Sequence, residues 1–366
     1  MLRLLAVLVV VIAPIALRAD TPARWRLVEL WRSGGDPARQ ITFDDAIDMK
    51  RAANGQLLVL VDGARPQLVI IDNTGHPARG VGSGAVRFDR PNGLVQFADG
   101  RIVVNEPIVG RLTELTERGD FVRYVPYEAW GYTERWLGFV HIDGGLYEPV
   151  VQDGRLVWRR WAEDLSTFDL LPAGACDPGM VRASPAAVYE FSSPHGTTAI
   201  PVPFAQPAVS IVRAPDGSTW TGIGPDYRRI VHTPWQSCDD DAAIELPEDP
   251  VPVAPEDHAE AVARVRQAAF GIAAADPDLS RIPDVHPPFR ALYLDRQLRL
   301  WIDRAVSPTS RLFDVYGPDG RPGATVPMTL PIDVEKPVVF GDSEIAFFTT
   351  GDDGWVWLVA MRIQVD

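Results

Sequence analysis

Lysine is nearly missing from this chain: Lys50 and Lys336 are the only two among 35 basic residues, and 49 acidic residues leave a formal net charge of −14. The arginines are scattered among carboxylates, so the clustered positive surface that phosphate backbones require is lacking and nucleic acid is not an expected partner. Cysteine is almost as scarce. Cys176 and Cys238 are the only two, and neither lies beside a histidine in a nucleophile signature, which excludes a recognisable catalytic thiol. The six histidines, His76, His141, His195, His232, His258 and His286, show no metal-ligand spacing and no His-Glu-x-x-His segment. No Gly-x-Ser-x-Gly elbow occurs. The run Gly80-Val81-Gly82-Ser83-Gly84 leads into Phe88-Asp89-Arg90-Pro91 without a helix, and a phosphate cradle needs helix amides behind its glycines.

Long apolar runs are also few. Arg3 precedes one, Leu4 to Ile15, followed by Ala16-Leu17-Arg18-Ala19. At about 12 residues it is short for a bilayer, so residues 1–19 read as a secretory signal cut near Ala19, with the mature chain exported to a periplasm or the exterior. No other segment qualifies as a transmembrane span. In that setting two cysteines are free to pair, which makes Cys176 and Cys238 a candidate disulfide; sequence does not supply the Cα separation that decides it.

What is present is a repeat. From Phe88 to Tyr127, Leu94-Val95 and Ile102 to Val104 flank the turn Ala98-Asp99-Gly100, and Leu112 to Thr116 and Phe121 to Val125 flank Arg118-Gly119-Asp120. That is two hairpins, a four-stranded antiparallel meander. First-hairpin turns recur at Asn54-Gly55, Asp99-Gly100, Asp143-Gly144, Asp216-Gly217, Arg296-Gln297 and Gly341-Asp342, in steps of about 45 residues, two of them lengthened by about 30. The expected fold is all-β: a six-bladed β-propeller of four-stranded antiparallel blades in one domain over residues 24–366. The last meander stops early, and the N-terminal strand Trp25 to Trp31 is available to close it, leaving no free sheet edge there. Insertions fall at about 177–204 and 250–288. In the first, Ala187 to Phe191 and Thr197 to Pro203 are expected to add strands to the rim of the third blade. The second carries one short helix, with Pro255, Glu256 and Asp257 in its first turn and Val262 and Val265 expected to pack on a neighbouring blade.

The segments PNGLVQFADGRIVVNEPIVGRL, FRALYLDRQLRLWID and SRLFDVYGPDGRPGATVPM resemble bacterial exported six-bladed β-propeller proteins of the NHL-repeat and TolB-like group. The resemblance implies fold and location, with binding or scaffolding as the default function and no cofactor. Pro91-Asn92-Gly93-Leu94 with Asp99-Gly100 is also similar to the calcium-dependent lactonase propellers of the gluconolactonase and paraoxonase type. That alternative implies a central calcium with Asn92 and Glu106 among its oxygen ligands and a polarised lactone carbonyl. The bland reading, in which Asn92-Gly93 shapes the entry to an inner strand, outweighs it.

Binding is expected on the face where one blade's outer strand crosses to the next blade's inner strand, since loops there escape blade packing. The crossings supply Arg90, Asn92, Tyr132, Arg135, Trp136, Gln206, Phe289, Arg290, Glu335 and Lys336. Arginines with aromatics suit an anionic or carbohydrate-like ligand, or a protein partner. His141 reads as a packed or tunnel-lining residue, and Trp220, Trp301 and Trp357 as filling between blades. The chain is therefore expected to be a monomeric, non-catalytic binding module.

Overall fold

The computed structural model describes residues 23–34, 42–63, 65–82, 86–128, 139–142, 145–152, 155–172, 188–193, 196–205, 209–223, 228–247, 249–270, 276–307 and 310–365. The expected signal segment 1–19 lies outside them. The predicted meander forms as β6 (Gly93–Gln96), β7 (Ile102–Glu106), β8 (Arg111–Leu115) and β9 (Phe121–Pro126), each pairing antiparallel with the next. Gly100 closes its first turn at φ +91, a conformation open mainly to glycine. Three further meanders follow the same plan. They are β2 to β5 (Ala46–Arg51, Leu57–Val61, Gln67–Ile71, Pro77–Val81), β10 to β13 (Val140–Ile142, Gly145–Gln152, Arg155–Trp161, Phe168–Pro172), and β16 to β19 (Val209–Arg213, Thr219–Ile223, Arg229–Thr233, Ala242–Glu245).

The chain's two ends depart from the expected plan. Instead of six four-stranded blades, the described strands make four, one eight-stranded sheet and one two-stranded ribbon. The eight-stranded sheet joins β20 to β23 (Ala291–Leu294, Leu300–Ser307, Ser310–Tyr316, Pro322–Pro327) to β24, β25 and β26 (Val339–Phe340, Glu344–Thr350, Val356–Val365) through β1 (Ala23–Gly34). As expected, β1 pairs with the last strand, from Trp25 opposite Val365 to Gly34 opposite Trp357. Its first two residues, Ala23 and Arg24, also pair in parallel with Ala324 and Thr325 of β23. An unpaired edge recruits whatever strand can reach it, and β1 reaches two.

The first strand of each meander is the inner one. Strand β2 touches β6 on one side and β24 on the other, and β16 touches β20. Side chains tie neighbours further: Leu94 N donates to Asp48 Oδ2 at 2.8 Å, and the His141 ring bonds Gln96 O at 3.1 Å. Sheets standing radially around a ring of inner strands make a β-propeller. Second strands are sandwiched between sheets and so are apolar on both faces. In β3, Leu57, Val59 and Val61 pack with Phe348 and Leu358, while Leu58 and Leu60 pack with Leu94 and Val104. Trp220 fills the space between β16–β19 and β20–β23 as expected, whereas Trp301 packs inside the core of the eight-stranded sheet itself, with Trp357 at the edge of that core. The turn lacking glycine is rescued by Asp295, whose carboxylate accepts Gln297 N at 2.9 Å and Arg299 N at 3.0 Å while Leu298 takes φ +60.

The insertions also differ from expectation. The segment after β13 forms β14 (Val188–Ser193) and β15 (Gly196–Pro201), which among the described residues pair only with each other and not with the third blade. The helix forms as read, α1 (Pro255–Ala269), with Ala261, Val265 and Ala269 buried. It packs on Tyr189, Phe191 and Val202 of the other insertion rather than on a blade. Phe289, offered above as a ligand contact, is fully buried among Trp220, Ile230 and Leu300. Gly222 makes room for it, since a Cβ there would lie 2.3 Å from the ring. Phe289→Ala is expected to cost about 3–5 kcal/mol in urea unfolding. Gly222→Ala destabilises as well, and because both act on one contact the double variant loses less than the two single losses added.

Candidate functional site

In each meander the second strand runs back to the face from which the inner strand set out. Crossing loops and second-to-third strand turns therefore meet on that face. Backbone bonds sew the meeting: Asn92 N to Asn105 O at 2.8 Å, Arg290 N to Asp303 O at 2.7 Å, Asp62 N to Asp45 O at 2.9 Å, and Asp333 N to Phe348 O at 2.9 Å. Near this face the second strands carry three buried carboxylates, Glu106, Glu148 and Asp303. Buried charge must be paired to persist, and each of these is.

Glu106 is fully buried at the end of β7. Arg111, the first residue of β8, grips it with Nε at 3.0 Å from Oε2 and Nη2 at 2.8 Å from Oε1. Asp89 N donates to Oε1 at 2.6 Å, and the Thr113 hydroxyl donates to Oε2. The bond to Glu106 is the first cause of a raised Arg111 pKa. Arg111 Nη2 also reaches Arg87 O at 2.6 Å, and its guanidinium lies 4.4 Å from the Tyr124 ring. One ion pair thus holds the crossing loop at two backbone points, Arg87 O and Asp89 N. On that strapped loop Arg87 and Arg90 are exposed, with Arg90 at φ +50. Neither side chain enters an ion pair among the described residues.

Glu148, on β11, faces Arg159 of β12 directly across the sheet. It accepts from the Tyr127 hydroxyl, from Trp161 Nε1 at 3.1 Å and from Arg159 Nη1 at 3.2 Å. Arg159 is fully buried, donates to Glu128 O at 2.9 Å and lies 4.5 Å from the Phe168 ring and 5.5 Å from those of Tyr127 and Trp161. Burial pushes the pKa values of Glu148 and Tyr127 up. Asp303 is shared by two arginines, Arg290 Nε at 2.9 Å on one oxygen and Arg311 Nε at 2.9 Å on the other. Arg290 further donates to Ile332 O at 3.1 Å. Burial raises the pKa of the nearby Tyr293 phenol and lowers that of Arg311.

This geometry sorts the residues read from sequence. Arg90 is exposed and Asn92 half-buried, both on the strapped loop. Arg290 is committed to Asp303, and Lys336 Nζ to the Asp44 carbonyl. Glu335 is exposed. Tyr132, Arg135, Trp136 and Gln206 lie outside the described residues, as does Cys176; Cys238 is disulfide-bonded. Glu106 offers calcium no free oxygen: both accept from fixed donors, one of them a guanidinium whose charge would oppose a cation. Among the described residues no three of His, Cys, Asp and Glu stand close enough to hold a metal. Sequence reading passed over Arg87, Arg111, Glu148, Arg159, Asp303 and Arg311. The usable signal was an acid inside an apolar strand, as in Leu300-Trp301-Ile302-Asp303.

His141 lines the inner strand β10. Its Nε2–H donates to Gln96 O, its ring meets Phe97 edge-on at 5.5 Å, and burial lowers its pKa. A half-buried ring whose neutral form is favoured is a packed residue and a poor general base at the channel.

No protein-family model and no curated protein matches the chain. Among solved structures, virginiamycin B lyase from Staphylococcus aureus is similar at 11% identity and TM-score 0.46, covering 93% of this chain and 99% of that one. A putative exported protein from Bacteroides fragilis gives 11% and 0.49, covering 94% and 97%. The RRP9 WD40 repeats give 9% and 0.47, covering 93% and 99%. Likenesses this distant carry nothing about the chemistry of this chain.

Two outcomes follow from the site. Glu106→Ala is expected to cost about 1–3 kcal/mol, because it leaves Asp89 N and the Thr113 hydroxyl without their acceptor and Arg111 without its carboxylate, and to cost the same with or without calcium in urea unfolding. The native state prefers neutral His141, so its contribution to stability is full above the unfolded value of about 6.5 and is lost as pH falls toward the depressed native value. Urea unfolding at about pH 8 and about pH 5.5 checks this; His141→Gln should lose less on acidification, and an equal loss contradicts the assignment.

Proposed function

We propose that this chain is a binding propeller, acting outside the cytoplasm as its leader-like N-terminal segment suggests, that recognises an anionic group with the crossing loop at residues 86–92. One observation carries the reading: the pair of fully buried Glu106 with half-buried Arg111 fixes the loop's backbone at Arg87 O and Asp89 N and leaves two exposed arginines on it. A loop held before the ligand arrives avoids the entropic cost of being ordered by it. Arg90 in the left-handed region supports the same view, since a backbone strain of about 1–2 kcal/mol persists only where its surroundings over-determine it.

Non-catalytic binding is favoured over hydrolysis because the buried carboxylates at this face, Glu106, Glu148 and Asp303, are each committed to fixed donors. An acid–base pair within reach of a substrate needs at least one uncommitted acceptor. Guanidinium forks suit carboxylate, sulfate and phosphate groups, so acidic and sulfated oligosaccharides fit the expected carbohydrate-like class.

The test is calorimetric titration with a panel of uronic and sulfated oligosaccharides, with inorganic sulfate and phosphate as the simplest probes. The double variant Arg87→Ala/Arg90→Ala should bind at least about tenfold more weakly, the loss of roughly 1.4 kcal/mol expected for charge-assisted bonds. Lys336→Ala, whose ammonium is tied to Asp44, should not change affinity. Equal affinity in the double variant, or a loss confined to Lys336→Ala, moves the site elsewhere.

A further inference from the structure

The two insertions leave the ring at successive crossings on the same face. The ribbon β14–β15 lies between β13 and β16, and α1 lies between β19 and β20. Their side chains build one hydrophobic core, Tyr189, Phe191, Val202, Ala261, Val265 and Ala269, to which no blade contributes among the described residues. Polar bonds cross the same seam. Tyr189 OH donates to Asp278 O at 2.7 Å, and Arg281 Nη2 donates to Val188 O at 2.6 Å while its guanidinium covers the Tyr189 ring at 4.5 Å.

The attachment of the second insertion to the ring is of another kind. Leu246 and Phe289, at the roots of the second insertion, belong to the separate core between β16–β19 and β20–β23. Between the roots and the helix the two arms of the insertion are zipped by Val253 N to Asp284 O at 2.9 Å and His286 N to Val251 O at 2.7 Å, with Pro252 bridging Val285. The arms carry Pro247, Pro250 and Pro252 on one side and Pro287 and Pro288 on the other. A neck stiffened by proline and closed by few bonds transmits motion of the whole unit more readily than motion within it.

We infer that the two insertions are one cap, folded around its own core, which moves as a single body on this neck and governs access to the crossing face. The sense of that access rests on the binding reading above; the cap's unity and motion do not. Elements with their own core and a narrow connection open as cooperative units below the free energy of global unfolding.

Hydrogen exchange of the ligand-free full chain, followed by mass spectrometry, tests this. Peptides from 188–193, 196–201 and 255–269 should exchange in concert, at least about tenfold faster than 57–61 and 102–106. Val265→Asp, which places a charge in the cap core, should release both insertions together and leave the β3 and β7 peptides protected. Tyr189→Ala should do the same from the ribbon side. Exchange of the helix only with the blade strands overturns the inference, as does release of the helix without the ribbon in both variants. Because no ligand is present, a failure to bind anions leaves this result untouched.

Discussion

The ring depends on the pairing of β1. A meander of three strands, β24 to β26, ends the chain with its last strand unpaired, and an exposed run of N–H and C=O groups would remain there. The register from Trp25–Val365 to Gly34–Trp357 fills that edge along its whole length. Two more residues of reach cover a stretch of β23 and weld neighbouring sheets into one of eight strands. The fold is thus closed by hydrogen bonds between its first and last strands, and the inner-strand ring inherits its geometry from that closure.

Within the closed ring, three buried carboxylates organise the crossing face. Desolvated ion pairs contribute little net stability compared with apolar packing, yet removing one partner is severely costly, so such pairs chiefly dictate arrangement. Glu106 with Arg111 dictates the course of a crossing loop. Glu148 holds a guanidinium among aromatic rings, and Asp303 holds the entry to β20 against β22. The polar chemistry that looks available from the composition of the loops is largely consumed in holding them still.

Much of the architecture was legible because turns that need positive φ advertise themselves. Gly55, Gly100 and Gly217 mark first hairpins of the repeat, and the helix declared itself through Pro255, its acidic first turn and the spacing of Val262 and Val265. The eight-stranded sheet was not legible, since it hinges on how far Ala23 and Arg24 extend past Val365, a matter of tertiary reach that no local pattern encodes. The self-pairing of β14 with β15 was hidden for a similar reason: a hairpin and a pair of rim strands have the same alternation. At the site, residues that read as exposed ligand contacts are claimed by buried acids, as Arg290 is by Asp303. Arg90 and Asn92 were within the right loop, while the pair that straps it, five residues apart across a strand turn, has no signature in spacing alone.

The antiparallel register of β1 and β26 also decides how the molecule bears load. Trp25 and Val365 stand opposite one another at the same end of the pair. Tension applied between the two ends of the chain therefore acts across the ladder, and its hydrogen bonds break in succession instead of sharing the force. The closure that seals the ring against edge pairing is, for a pull on those ends, its weakest seam.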